Sequence, residues 1–83
     1  MATLKVHVYY TPEGEPEYLA GTQTNDWEGY TARQARTARV GALRAAGRSY
    51  EKEGDSLTIR STIYPQRSSD KRIDVREVLT WTD

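Results

Sequence analysis

Five arginines, Arg33, Arg36, Arg39, Arg44 and Arg48, stand between Gly29 and Tyr50 with no acidic residue among them. A guanidinium group is planar and always charged, and its N–H fork grips a carboxylate or a phosphate by two oxygens at once. At the angular step of an α-helix, Arg33, Arg36, Arg44 and Arg48 share one arc. Ala35, Ala38, Ala42, Ala45 and Ala46 share the opposite arc, flanked by Ala32 and Leu43. The chemistry this implies is the binding of an anionic surface by four guanidinium groups. The competing reading is a solvated helix face, neutralised by an acidic loop. Arg39 falls among the alanines and must snorkel outward or meet a carboxylate such as Asp26 or Glu28, while Val40 falls among the arginines.

The remaining chemistry-bearing residues are sparse. His7 is the single histidine and cysteine is absent, so thiolate or multi-imidazole metal sites are not expected, and no cofactor is expected. His7 near Arg60, Arg76 and Asp74 or Glu77 would have the components of an acid–base site for RNA cleavage, or equally of a surface histidine with charged neighbours. Tyr9, Tyr64 and Trp27 offer flat rings for stacking or for anchoring an interface, or fill the rim of a thin core. Glu13, Glu15 and Glu17 form an acidic stretch that either mimics nucleic-acid phosphates or is simply solvated. Phosphate-loop, dinucleotide-binding, zinc-ligand and serine-elbow motifs do not occur.

Those residues need a scaffold, and 83 residues allow one domain with a thin core. Residues 3–10 alternate, with Leu4, Val6, Val8 and Tyr10 on one face and Lys5, His7 and Tyr9 on the other, predicting a half-buried strand. Thr11 to Glu17 is a turn with two prolines and a glycine, and residues 18–24 return as a weaker strand in which Gly21 marks an edge or a bulge. Thr31 and Gln34 have capping-box spacing ahead of an Ala/Arg/Leu helix that stops at Gly47, or runs on to Gly54. Residues 56–64 alternate again, Pro65 ends that strand, and Gln66 to Lys71 is a polar loop. Residues 72–82 form a last strand with Ile73, Val75, Leu79 and Trp81 inward; Glu77 in that register calls for a bulge or for a strand end beyond the helix's cover.

The expected fold is therefore α+β, a four-stranded antiparallel sheet with one helix on one face, in the order β-β-α-β-β. Its open face would carry Lys5, His7, Tyr9, Arg60, Tyr64, Asp74 and Arg76. Net charge is zero, but residues 1–28 balance at −4 and residues 29–50 at +5, an asymmetry that bears on partner choice. The N-terminus lacks the apolar run of a signal peptide and no stretch has the length of a membrane span, so a cytoplasmic protein without membrane contact is expected.

The hairpin-then-helix layout and the segment Thr31-Ala-Arg-Gln-Ala-Arg-Thr-Ala-Arg39 resemble small phage-encoded anti-CRISPR proteins. The resemblance implies a non-enzymatic inhibitor, in a host cell's cytoplasm, that binds a bacterial protein or nucleoprotein complex such as a CRISPR effector and blocks nucleic-acid access. The residues expected to bind are Arg33, Arg36, Arg44 and Arg48 on the helix, and Tyr9, Tyr64 and Arg60 on the sheet. Two other functions are compatible with the sequence: a regulator contacting nucleic acid directly through the arginine face, and a small toxin-like ribonuclease using His7. As to assembly, both a monomer and a homodimer are compatible with the chain.

Overall fold

The computed structural model describes residues 1–64 and 71–83. Along the chain run β1 (Ala2–Pro12), β2 (Tyr18–Trp27), α1 (Ala32–Ala45), β3 (Glu51–Glu53), β4 (Ser56–Ile63) and β5 (Ile73–Thr82). All pairings are antiparallel and the strand order is β2-β1-β5-β4-β3. The first and last strands thus meet in the middle of the sheet, and α1 carries the chain from one edge to the other. The Pro65 strand stop and the Gln66–Lys71 loop expected from sequence lie, except for Lys71, outside the described residues.

The α+β class holds, but the four-stranded sheet is corrected to five strands. The extra strand is Glu51–Glu53, hydrogen-bonded to β4 with Glu53 opposite Ser56. Two residues, Gly54 and Asp55, make the turn, and Gly54 has φ +59°. A glycine with positive φ at the first central position of a two-residue turn matches the right-handed twist of the strands it joins. The segment after Gly47 therefore returns as a hairpin arm and does not prolong the helix.

Local signals place α1 well. Thr31 accepts from the Gln34 backbone N–H at 3.2 Å and the Gln34 side chain accepts from the Thr31 N–H at 3.0 Å, completing the capping box. The Ala32 N–H, left over at the helix start, donates to the Asp83 carboxylate at 2.6 Å. An anion there also opposes the positive end of the helix dipole. At the other end Gly47 (φ +69°) donates to Arg44 O and Arg48 N donates to Leu43 O, the paired bonds of a Schellman cap.

The core comprises Ala2, Leu4 and Val6 of β1, Leu57 and Ile59 of β4, Leu79 and Trp81 of β5, and Ala35 and Leu43 of α1, with Trp27, Ala32, Val40 and Tyr50 at its margin. This corrects the expected helix orientation. Ala38, Ala42, Ala45 and Ala46 are exposed, while Ala32, Arg36, Arg39 and Val40 are half-buried beside Ala35 and Leu43. The helix is rolled by roughly a quarter turn from the alanine arc. The reason is one of magnitude: burying Leu or Val contributes roughly 1.5–3 kcal/mol, and a single alanine methyl about 0.8. Leu43 and Val40 are the only large aliphatic residues in the helix, so the roll follows them and takes in the arginine stems between them.

The remaining irregularities fall into place. Gly21 pairs with Val8 and Leu19 with Tyr9, so Ala20 is the extra residue of a bulge, and β2 is a sheet edge. β5 keeps a regular register with both neighbours through Glu77, whose side of the sheet there lies beside Val6, Val8, Tyr10 and Gln23. Neither a bulge nor a strand end is observed at Glu77: it lies mid-strand, half-buried, opposite Val8 and the buried Ile59.

Candidate anion-binding interface

The roll of α1 decides which cations meet. Lys52 pairs with the buried Leu57, and residues directly opposite in a ladder point to the same side, so Lys52 lies on the helix side of the sheet. Arg33, Arg36, Thr37, Val40 and Lys52 line one open groove of about 490 Å³ between α1 and β3. Arg36 is the anchored member: its side chain is 18% exposed and donates to the Asp55 carboxylate at 3.1 Å. Asp55 is 85% exposed, so this pair contributes no more than about 1 kcal/mol and leaves its carboxylate in water. Among the described residues, neither Arg33 nor Lys52 has an ion-pair partner. The groove thus offers three cations against one solvated carboxylate, over an aliphatic floor of Val40.

Arg44 stands eleven residues after Arg33, three turns on, roughly 16 Å further along the same side of the helix. Its Nε donates to the Tyr50 hydroxyl at 3.2 Å, which fixes the guanidinium without neutralising it. Arg48 is exposed just past the cap. The four helix arginines therefore do not act as one equal set: Arg33 and Arg36 share the groove, and Arg44 and Arg48 continue from its far end. Arg39 forms no ion pair with Asp26 or Glu28; its Nε is buried without a hydrogen-bond partner, and Asp26 accepts from the Thr3 hydroxyl at 3.0 Å.

Tyr9 and Arg60 lie on the opposite, uncovered face of the sheet. Arg60 and Arg76 are direct cross-strand partners, an unfavourable pairing of like charges by itself. Each has its own carboxylate: Glu51 lies 3.2 Å from Arg60, and Glu17 takes both Arg76 nitrogens at 2.8 and 3.2 Å. The Arg76 guanidinium also lies 4.4 Å from the centre of the Tyr9 ring. The hydrogen bond from Arg76 and its charge hold the Glu17 carboxyl below the usual carboxylate range. Glu15 pairs with Lys71 at 3.3 Å, so Glu15 and Glu17 are met by Lys71, just ahead of β5, and by Arg76 within it, and not by the helix arginines. Around these residues a shallow groove of about 330 Å³ is lined by Thr11, Glu17, Arg60, Thr62, Asp74 and Arg76. Tyr64, just past β4, is 73% exposed and stands outside both grooves.

His7 has Thr22 and Val78 as cross-strand neighbours, and Glu77 pairs with Val8 on the other side of the sheet. The Arg60, Arg76 and carboxylate grouping is assembled around Tyr9 instead, two residues along β1 from His7 on the same face. Trp27 packs at the core margin with its ring edge-on to Tyr30 at 5.7 Å, and Trp81 is buried as expected. Lys52 and Asp55 are the groove residues that sequence reasoning missed. Their signal was the Gly54-Asp55 turn, which folds the residues before it back as a hairpin arm.

Among the described residues, no cluster of three or more His, Cys, Asp or Glu could hold a metal ion, and no helix is long and apolar enough to cross a membrane. No family model, curated protein or solved structure matches this chain.

Proposed function

We propose that the chain is a non-enzymatic binding protein that inhibits or regulates a larger complex by docking the Arg33–Arg36–Lys52 groove on an anionic surface of its partner. The observation that carries this reading is the sorting of charge by the β3 hairpin. Lys52 is placed beside two arginines, and Glu51 and Glu53 fall on the other side of the sheet. Three cations converge where simple solvation of the helix would have left two arginines and no groove. A bacterial nucleoprotein complex of the CRISPR-effector kind is the partner class suggested by the layout resemblance; such complexes present both phosphate and carboxylate surfaces.

Direct nucleic-acid binding is the second reading, favoured by the position of Arg44 in line with Arg33 along the helix. The zero net charge weighs against it, because dedicated nucleic-acid binders are generally basic.

Both readings are tested with immobilised wild-type protein and an R33E/R36E/K52E variant. Each is exposed to bacterial lysate and, separately, to labelled duplex DNA and single-stranded RNA. The proposal expects a defined complex retained by the wild type and lost by the variant, with naked nucleic acid held weakly. Equal retention of the same complex by both proteins overturns it. Tight binding of naked nucleic acid, falling steeply with salt, moves the assignment to the second reading.

A further inference from the structure

The two edges of the sheet are built in opposite ways. β3 is three residues long and every residue is charged, Glu-Lys-Glu, which is how natural sheets discourage another strand from adding. β2 is ten residues long, roughly 33 Å, and carries no charge from Tyr18 to Asn25 and no proline. Every β2 residue but Trp27 is exposed, so the strand gains little from packing against its own domain. Its Ala20–Gly21 bulge leaves Thr22 to Trp27 as a regular stretch paired on one side only, to β1.

We propose that β2 pairs with β2 of a second copy of this chain, antiparallel across a two-fold axis, joining the two five-stranded sheets edge to edge. The proposal goes beyond the anion-binding reading and uses none of its residues. Three observations select a second copy as the occupant. First, the strand is self-complementary. Thr22, Gln23, Thr24 and Asn25 lie in the middle and can each donate and accept, and a two-fold near Gln23 or Thr24 sets Asp26 opposite an uncharged residue. Second, the apolar ends match. Tyr18 and Leu19 at the start of β2 are 51% and 52% exposed, and Tyr30 just past its end is 46% exposed. A two-fold brings the start of one strand beside the end of the other, twice. Third, the assembly closes, because its outer edges are then two copies of the short charged β3 and no further copy can add.

A seam of one strand pair falls short of the roughly 1,600 Å² of a standard interface, so the dimer is expected in the micromolar range. Sedimentation velocity on the full chain from about 5 to about 500 µM reads this directly. The expected result is a reversible shift toward twice the 9.5 kDa mass. The shift should persist in high salt, since main-chain hydrogen bonds hold the seam. A T22K/T24K variant, with both changes at exposed positions, should weaken association at least tenfold. On the wild type alone, hydrogen exchange of β2 amides should slow as concentration rises. A chain that stays monomeric throughout, an unaltered dimer in T22K/T24K, or β2 exchange independent of concentration would each overturn the proposal. So would a dimer abolished by R33E/R36E/K52E in place of the edge variant.

Discussion

Replacing Ala35 by Leu and, separately, Ala38 by Leu tests the orientation on which the groove depends. The two sites are identical in residue type and lie three residues apart in the same helix, so intrinsic helix propensity cancels between them. They stand about 60° apart around the helix, Ala38 on the side turned away from Leu43. Ala35 is 0% exposed beneath the sheet, and Ala38 faces solvent. Three added carbons have no space at Ala35, and overpacking of this kind costs about 1–3 kcal/mol. At Ala38 the same carbons enter water, and the change should stay within about 0.5 kcal/mol. A domain of this length has a total stability of roughly 4–12 kcal/mol. Each kcal/mol moves Tm by about 4–8 °C at this size, so Ala35→Leu should melt at least about 4 °C below the wild type, and Ala38→Leu close to it. Thermal unfolding followed by far-UV circular dichroism gives both numbers. Equal losses, or a larger loss at Ala38, would refute the roll. Arg33, Arg36 and Lys52 would then no longer share a groove.

Three further outcomes follow from single contacts. Glu17 is held ionised by Arg76, so its folded pKa lies below its unfolded value of about 4.3; the stability it contributes is present above that pH and lost as pH falls through the lowered folded pKa. Urea titrations between about pH 3 and 7 should therefore show a shallower acid-side loss in Glu17→Gln than in the wild type, and superimposable profiles would show that the ion pair carries no linkage. Gly54→Ala meets no neighbouring atom within 4 Å but must hold φ near +59°, so it should cost about 1–2 kcal/mol in urea unfolding, with Gly54→Asn costing less. Asp83→Asn removes the charged acceptor from Ala32 N and should cost about 0.5–1 kcal/mol, an effect that shrinks in high salt.

Strands and caps were legible because their signals are local. The alternation in β1 and β4, the Thr31–Gln34 box and the Gly47 stop each depend on residues a few positions apart, and all appear in the structure as read. β3 was not legible by pattern alone, since three charged residues have no hydrophobic alternation; its evidence was the two-residue turn that follows. The Asp83 contact spans 51 residues and depends on the first and last strands meeting at the centre of the sheet. The cross-strand partners of Tyr9, Arg60 and His7 were equally out of reach. A strand pattern assigns a face but not a register, and register decided that Arg76 meets Tyr9 while His7 meets Val78.

The roll of the helix shows most clearly where sequence reading stops and packing begins. Six residues of α1 and its cap are alanines, and an arc of small side chains looks like an inward face whenever closeness of approach is the criterion. Burial is set by area, however, and two branched residues on the flank of that arc outweigh four methyl groups near its centre. Once Leu43 and Val40 turn inward, Arg36 must lie along the sheet margin and Arg33 must stand over β3. The β3 hairpin answers with Lys52 on that side and with both glutamates on the other. The cationic groove is thus a by-product of hydrophobic bookkeeping in the helix combined with strand alternation in the hairpin. Neither element would create it alone, so a change that rolled α1 back would scatter the three cations without altering any of them.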